Sequence, residues 1–464
     1  MDLWLGELSG GRKRMTRGRA TSYPYPVRDT RGWTWCGEAW FLTLVMIIAG
    51  VLSLNPAVAA TGEGSLERQN PTVLRLSLDD AIALFLRQNL DLLKTKYGID
   101  TAKAKRITAG LFPNPELSIN TLSAYTQDCN LSKCGGIMPV ISQLFLVAGK
   151  RGFRVESAEF GTQSAEAGFE DTLRQLSFAV KDAYYRVQVG HRLLEDDEQR
   201  SSRINGAIEK LGGASAKTQN PEDLIRLQIR AVKTHANIIR DIQQIDSDRS
   251  DLLLLLALSP ETELELTTDL TFEPIVPDIV ALKKRVEDAR PDLRAKRLLL
   301  AKRRSESKLA IANQYPDVTV DLGYNVQGPQ GPDNQQQWTI NLGMPIPVFD
   351  RNQGGIKEAA ATVHIAEADL HKTLNEVHHQ INTVYRHLGQ SRLLVETYRA
   401  GAFEASEALF NRVEQDFHSG KTTILHLLDA FQAKIDIDKA YINALYEYQR
   451  DILLLESAAA QPVS

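Results

Sequence analysis

Two stretches in the second half of the chain alternate apolar and polar residues. They run from Val318 to Gln327 and from Trp338 to Met344, with the turn-rich residues 328–334 between them. A period of two predicts β-strands, so the two stretches predict a strand hairpin. A tilted strand needs roughly 9 to 11 residues to cross a membrane, which is about the length of these stretches. An ordinary half-buried hairpin would give the same pattern.

Helical spacing dominates most of the remaining chain. One series of apolar residues recurs at alternating intervals of three and four, as in the seam of a coiled coil: Leu173, Leu176, Val180, Ala183 and Val187. The chain has no proline between Pro139 and Pro221, or between Pro347 and Pro462, so little interrupts helical hydrogen bonding there. We therefore expect helices much longer than those of ordinary globular proteins, up to about 90 Å for roughly 60 residues.

The two halves of the chain repeat each other. Pro115-Glu116-Leu117 reappears as Pro316-Asp317-Val318, 201 residues later. At the same offset, the five apolar positions of the first half meet apolar residues of the second: Leu374, Val377, Ile381, Val384 and Leu388. We interpret the match as an internal duplication. It extends the strand prediction to the first half, where Glu116–Tyr125 and Ile137–Leu146 alternate less regularly.

The duplication suggests how the chain is divided. Turns at Gly212-Gly213 and at Ser419-Gly420 predict the tips of two helical hairpins, one in each repeat. We expect these segments: a secretory leader (1–60), an N-terminal segment (61–78), a first repeat (79–258) with strand hairpin 115–146, a second repeat (259–458) with strand hairpin 316–346, and a C-terminal tail (459–464).

The N-terminal residues have the order of a secretory signal. Seven Arg and Lys residues precede an uncharged apolar run from Ala39 to Leu54, and small residues follow at 57–60. We expect cleavage after Ala59 or Ala60. A membrane anchor is the alternative, but the apolar run is shorter than the roughly 20 residues that span a bilayer. The leader is long, so translation could begin downstream, for example at Met15.

Charge and cysteine content narrow the possible partners. The whole chain has a formal net charge of −4. Cleavage of the leader would take away its net charge of +3, so the exported chain would be more acidic and a poor binder of nucleic acid. Cys36 would be lost with the leader, which leaves no cysteine for an N-terminal lipid anchor. Cys129 and Cys134 flank the turn of the first strand hairpin and predict a disulfide, with a thiol metal site as the alternative.

The number of predicted strands requires several copies of the chain. Four strands cannot close a membrane barrel, because known barrels have about eight or more strands and an open edge leaves backbone groups unsatisfied in lipid. Three copies would supply twelve strands. The long helices would then form a second barrel continuous with the first.

Two short motifs connect this architecture to a known family. Residues 112–117, Phe-Pro-Asn-Pro-Glu-Leu, and residues 345–354, Pro-Ile-Pro-Val-Phe-Asp-Arg-Asn-Gln-Gly, resemble the cobalt-zinc-cadmium resistance branch of the TolC-like outer membrane factors. The resemblance covers roughly residues 75 to 458. It implies a mainly α-helical fold: a homotrimer with a twelve-stranded β-barrel in the outer membrane of a Gram-negative cell and a helical tunnel in the periplasm. It also implies docking to a periplasmic membrane-fusion adaptor and an inner membrane resistance-nodulation-division pump.

The same resemblance assigns roles at the two helical tips. It places Asp429, and His426 one turn before it, at the pore near the periplasmic mouth, although other members carry two acidic residues there. Three copies of Asp429 would repel each other unless a cation or proton lay between them. The tips that would dock the adaptor contain small or short residues: Gly212, Gly213, Ser215, Gly420 and Thr422.

No motif points to catalysis, a cofactor or a confident metal site. The chain contains no H-E-x-x-H and no G-x-S-x-G. His364, His371 and His378 recur every seven residues, but about 10.5 Å of helix separates neighbours, so we interpret them as a polar stripe. The leading hypothesis is a passive exit duct for heavy-metal cations. The alternatives are a duct for drugs or for type I protein secretion, and a soluble periplasmic coiled-coil scaffold.

Overall fold

The computed structural model describes residues 73–122, 136–212, 221–327 and 336–463. The predictions for the secretory leader, for Gly213 and Ser215, and for the Cys129–Cys134 disulfide lie outside these residues. Within the residues that the structure describes, no helix combines the length and apolar character that crossing a membrane requires.

The elements follow each other in two similar series. The first series comprises β1 (Val73–Leu76), α1 (Leu78–Gln88), α2 (Leu90–Gly110), β2 (Glu116–Leu122), β3 (Gly136–Phe145), α3 (Lys150–Gly212) and α4 (Pro221–Leu255). The second comprises β4 (Glu263–Leu266), α5 (Ile279–Ala289), α6 (Pro291–Ala312), β5 (Val318–Gln327), β6 (Gln337–Gly343), α7 (Gln353–Thr397), a π-helix (Tyr398–Ala402), α8 (Phe403–His418) and α9 (Ile424–Ala459). The predicted strand hairpins and long helices are therefore present.

The duplication is visible in the short helices. Helices α1 and α5 both have 11 residues, and their first residues are 201 positions apart. Ser77 caps α1 by accepting a hydrogen bond from the Asp80 amide, and Asp278, 201 positions later, caps α5 by accepting from the Val280 and Ala281 amides. A side-chain oxygen satisfies otherwise unpaired amides of the first turn. The same type of capping residue therefore starts the same helix in both repeats.

Strands β2, β3, β5 and β6 form one antiparallel sheet. Their order is β2-β3-β5-β6, so the two hairpins join through β3 and β5. Among the described residues, β2 and β6 are each paired along one side. The sheet therefore joins the repeats inside one chain and ends in one strand from each repeat.

A buried lysine connects this sheet to the helices. The Lys150 ammonium donates to Asp317 Oδ1 at 2.8 Å and to the Tyr315 carbonyl at 2.6 Å. Asp317 Oδ1 also accepts from the Val147 amide at 3.0 Å. Lys150 begins α3 and Asp317 directly precedes β5, so this contact joins the first repeat to the second where strands give way to helices.

Two buried tyrosines hold the central part of the protein together. The Tyr184 hydroxyl on α3 donates to the Leu76 carbonyl at 3.0 Å and accepts from the Thr267 and Thr268 amides. It thereby fixes the small parallel sheet of β1 and β4 against the helix. The Tyr448 hydroxyl on α9 donates to the Glu273 carbonyl at 2.8 Å and accepts from the Ile275 amide at 3.0 Å. One buried hydroxyl from each repeat thus holds the segment that follows β4.

Candidate functional site

One face of the four-stranded sheet is apolar and exposed. Four aligned residues, one from each strand, form a row across it: Leu117, Ile141, Leu322 and Ile340. Their exposed fractions are 66%, 52%, 44% and 70%. Since alternate residues of a strand point to opposite faces, the row extends along each strand at every second position. Trp338 and Leu342 continue it on β6, both at 70% exposure or more. Water disfavours such a continuous apolar surface, and lipid would favour it.

The opposite face carries polar groups. Its aligned row consists of Glu116, Ser142, Asp321 and Asn341. This row lies one position away from the apolar row on every strand, as the period-two pattern of the second half predicted. An apolar outer face and a polar inner face are what a strand needs to separate lipid from water.

One close contact keeps the middle of the sheet tight. Gly323 on β5 faces Val140 on β3, and a Cβ atom built on Gly323 would lie 3.1 Å from Val140 Cγ2. Val140 is buried, with 6% of its surface exposed. Because a side chain on Gly323 would press against Val140, the glycine allows the two hairpins to approach closely at their junction.

The structure places His426 and Asp429 on one exposed face at the start of α9. Leu428 between them is buried against Ile204, Ala207 and Leu227 of α3 and α4. This packing directs the neighbouring polar residues outward, and the Asp429 side chain is 56% exposed. Arg230 of α4 donates to Asp429 Oδ1 at 2.6 Å. Nδ1 of His426 lies 3.0 Å from Oγ1 of Thr422.

The turn before α9 is built by a glycine. Gly420 has a φ of +72°, the left-handed conformation that favours glycine. The Gly420 amide donates to the Phe417 carbonyl and the Lys421 amide to the Asp416 carbonyl, which closes the end of α8 in a Schellman motif. Thr422 follows in this turn, and Gly212 is the last residue of α3. Of the predicted docking residues, the structure therefore describes Gly212, Gly420 and Thr422.

Comparison with known proteins decides the family. The model of the outer membrane efflux protein family matches residues 282–461. The chain is 25% identical to the cobalt-zinc-cadmium resistance protein CzcC of Cupriavidus metallidurans, over 85% of this chain and 94% of that protein. It is 26% identical to the outer membrane protein TolC of Vibrio cholerae, over 66% and 72% of the two chains. The CmeC outer membrane channel of Campylobacter jejuni has the same fold, with a TM-score of 0.72 at 13% identity over 82% and 85% of the chains.

The chain is a TolC-like outer membrane factor. As an outer membrane factor it is an efflux channel of the Gram-negative outer membrane, with its helical part in the periplasm, and it is not an enzyme. The resemblance to the cobalt-zinc-cadmium resistance branch, inferred from two short motifs, is also confirmed. This location excludes the soluble scaffold that the sequence left open.

Below its sheet, the outer membrane factor contains a buried charge cluster that the sequence analysis missed. Asp197 of α3 is 1% exposed. Its carboxylate lies 2.6 Å from Nζ of Lys439 on α9 and 3.5 Å from Nη1 of Arg200. Burial and the neighbouring Asp197 carboxyl raise the pKa of Asp241 on α4 to about 6. Helices α3, α4 and α9 thus share one buried group of charges, and α9 comes from the other repeat.

A second missed contact holds the two helical hairpins together near the tips. The Arg203 guanidinium of α3 lies over the rings of Phe410 and Phe431, 5.0 and 4.3 Å from their centroids. Its Nη1 is 3.8 Å from Glu414. A guanidinium stacked on aromatic rings contributes roughly 0.5–2 kcal/mol. Arg203 therefore attaches the helix of the first repeat to both helices of the second hairpin.

The histidine stripe of the outer membrane factor lies beside carboxylates. His364 Nδ1 is 3.4 Å from Glu367, and His378 Nε2 is 3.3 Å from Glu287. Among the residues that the structure describes, no group of three or more histidine, cysteine or acidic side chains is placed to hold a metal ion.

Proposed function

We propose that this outer membrane factor is the exit duct of a heavy-metal cation efflux system. The observation that carries the proposal is the similarity to the cobalt-zinc-cadmium resistance protein over 94% of that protein's length. The similarity spans both repeats, so it includes the sheet and both helical hairpins. A passive duct performs no chemistry, and the energy of transport and much of the substrate choice come from the inner membrane pump.

The duct is a homotrimer. The apolar row across β2, β3, β5 and β6 faces lipid, and the outer edges of β2 and β6 pair with neighbouring copies. Unpaired amides and carbonyls in lipid would each cost several kcal/mol, so twelve strands from three copies close into one barrel. The polar row that contains Asp321 then lines the aqueous lumen.

The periplasmic end of the duct meets its partners through the helical tips. Glycine at positions 212, 213 and 420, with the short side chains of Ser215 and Thr422, allows a hairpin of the membrane-fusion adaptor to approach closely. The adaptor in turn connects the duct to a resistance-nodulation-division pump.

Asp429 and His426 form the polar ring of the periplasmic mouth. The contact with Arg230 offsets the charge of each Asp429 carboxylate, so the ring repels itself less than three free carboxylates would. A passing cation competes with the guanidinium for the carboxylate. His426 adds an imidazole ring, whose Nδ1 contacts the Thr422 hydroxyl.

Deletion of the gene tests the substrate class. The deletion strain and its complemented counterpart are grown across cobalt, zinc, cadmium, nickel and copper salts and across a panel of drugs. We expect increased sensitivity to one or more of the metals, restored by the wild-type gene. Sensitivity to drugs without any change in metal tolerance would contradict the proposal and favour a drug efflux duct. A secretion defect without either sensitivity would favour type I protein secretion.

A further inference from the structure

A polar cavity lies between α7 and α9, two long helices of the second repeat. Its volume is about 440 Å³. Helix α7 contributes an imidazole and a hydroxyl to its wall, and α9 contributes two carboxylates and a guanidinium: His387, Ser391, Glu447, Asp451 and Arg450. The function described so far uses none of these side chains.

The wall of the cavity carries negative charge that no basic group offsets directly. The hydroxyl of Ser391, which is 6% exposed, donates to Asp451 Oδ2 at 2.8 Å. The Arg450 guanidinium contacts another helix, with Nε 3.3 Å from Oδ1 of Asp182 on α3. Within the described parts of the chain, neither Glu447 nor Asp451 forms an ion pair. Burial raises the pKa of Asp451, and the Glu447 carboxylate adds to this effect.

The cavity opens on the side of α7 that faces away from the segment that follows β4 (residues 267–278). Val276 of that segment lines a smaller cavity with Tyr385 and Arg392. His387 and Leu394, which line the polar cavity, come two residues after Tyr385 and Arg392. Two residues turn a helix by about 200°. The polar cavity and the segment that follows β4 are therefore on opposite sides of α7.

This position faces the lumen of the proposed homotrimer. A tunnel wall built of packed helices has one outer and one inner face. On the inner face, the segment that follows β4 and the small sheet of β1 and β4 would fill the lumen, so they cover the outside. The polar cavity then opens into the lumen, once in each copy.

The first repeat has no equivalent of these polar groups. Gly190 stands 201 positions before Ser391, and a Cβ atom built on it would lie 2.8 Å from Cγ1 of Ile245, so the isoleucine fills that space. Ser250 stands in place of Asp451, and Arg186 in place of His387. The carboxylate-lined cavity is therefore a feature of the second repeat, which the duplicated packing of the helices does not by itself produce.

We propose that this cavity binds the hydrated divalent cation that the duct carries. The inference rests on the proposed metal duct and adds a binding site to its lumen. A divalent ion with six waters occupies about 180 Å³, at roughly 30 Å³ for each water, so it fits the cavity.

The ion keeps its water shell in this site. In the described part of the protein, no three histidine, cysteine or acidic side chains are close enough to coordinate one ion directly. Glu447 and Asp451 instead accept hydrogen bonds from the bound waters, and their charge attracts the ion. A duct needs such weak binding, because an ion must leave the site as readily as it enters.

Hexaamminecobalt(III) tests for the hydrated ion, because its ammonia ligands do not exchange and the complex cannot coordinate a histidine. The purified full chain in detergent is titrated with the complex by calorimetry. We expect about one bound complex per chain, and roughly tenfold weaker binding when Glu447→Gln and Asp451→Asn are combined. Glu447 is exposed, so Glu447→Gln alone leaves the bond between Ser391 and Asp451 and should still weaken binding severalfold.

Two carboxylates on the other side of α7 provide the matched control. Glu287 and Asp288 belong to α5, which packs with the segment that follows β4 through Leu282. Combining Glu287→Gln and Asp288→Asn removes the same charge as the cavity variant, and we expect it to change the affinity less than about twofold.

Zinc chloride then tests the class of ion. We expect zinc to displace the cobalt complex from the wild-type protein. No binding of the complex, binding that is unchanged in the cavity variants, or zinc that binds without displacing the complex would each overturn the site and leave the duct intact. Failure of the metal duct shows separately, as a deletion strain with altered drug tolerance and unchanged metal tolerance.

Discussion

The middle of the long helix differs between the two repeats. In the first repeat, Asp197 and Arg200 are buried within the uninterrupted 63-residue helix α3. Their counterparts 201 positions later are Tyr398 and Gly401, and there the chain forms the π-helix between α7 and α8. At one level of the duplicated fold, the first repeat buries ion pairs and the second interrupts its helix.

The difference shows how a duplicated helix can change its packing without changing its neighbours. A π-helix holds an extra residue in its turn, so side chains beyond it point in a direction rotated by about 100°. Val395 before it and Tyr398 at its first position pack against the apolar cluster around Tyr448. After it, Phe410 packs against Phe431 and Ile435. The interruption thus lets both segments face α9, whereas α3 meets α9 through the Asp197–Lys439 ion pair.

The largest expected effect comes from removing one charge of the buried cluster. Lys439→Met leaves the Asp197 carboxylate buried without its ammonium, and breaking a buried pair costs roughly 3–5 kcal/mol. We expect a large loss of thermal stability in detergent, measured by intrinsic fluorescence. Lys233→Met, an exposed lysine of α4, is the matched control and should change the free energy of unfolding by less than about 0.5 kcal/mol. Equal melting temperatures for both variants would show that the first repeat does not depend on its ion pairs.

The two buried tyrosines give the next comparison between repeats. Tyr184→Phe removes a hydroxyl that makes three hydrogen bonds, and Tyr448→Phe removes one that makes two. An unsatisfied buried group costs roughly 1–3 kcal/mol, so both variants should be destabilised, and Tyr184→Phe more so. The measurement is thermal unfolding of both variants. The control is Tyr315→Phe, whose ring is exposed. A larger loss of stability for Tyr448→Phe than for Tyr184→Phe would contradict this ranking of the two hydroxyls.

Local signals allowed much of the fold to be predicted from the sequence. The alternation from Val318 to Gln327 matches β5 residue for residue, because one face of the sheet is apolar and the other polar. The repeat transferred this prediction to the less regular first half, where β3 runs from Gly136 to Phe145. The absence of proline predicted the long helices, because helical hydrogen bonds join residues that are close in sequence.

Contacts between distant segments could not be predicted in this way. Arg230 and Asp429 are 199 residues apart, and their contact depends on how α4 lies beside α9. Asp197 looks like an ordinary surface residue in the sequence, and its burial follows from α4 and α9 closing over α3. The π-helix at Tyr398 was also missed, because a single extra residue leaves the heptad spacing on either side unchanged.

The pH dependence of stability offers a test of the buried cluster with a smaller expected effect. The folded pKa of Asp241, about 6, lies above its ordinary value of 3.8, so the folded state holds this proton more tightly than the unfolded state. The stability contribution is therefore complete below about pH 4 and is lost as pH rises through about 6. We expect Asp241→Asn to weaken the fall in melting temperature across this window, whereas Asp246→Asn on the exposed side of α4 leaves it unchanged. A wild-type melting temperature that rises across the window, together with an unchanged profile in Asp241→Asn, would contradict the assignment.

The smallest expected effect concerns the π-helix itself. Gly401 has an extended φ of 176°, and a Cβ atom built on it would have nothing within 4 Å. Alanine can therefore occupy the position without a clash, and it reduces the freedom of the unfolded chain, which stabilises by less than about 1 kcal/mol. A small rise in melting temperature with unchanged metal tolerance is the expected result for Gly401→Ala. A marked loss of metal tolerance at unchanged stability would instead mean that the duct needs glycine there for movement. The π-helix would then make the two repeats differ in dynamics as well as in packing.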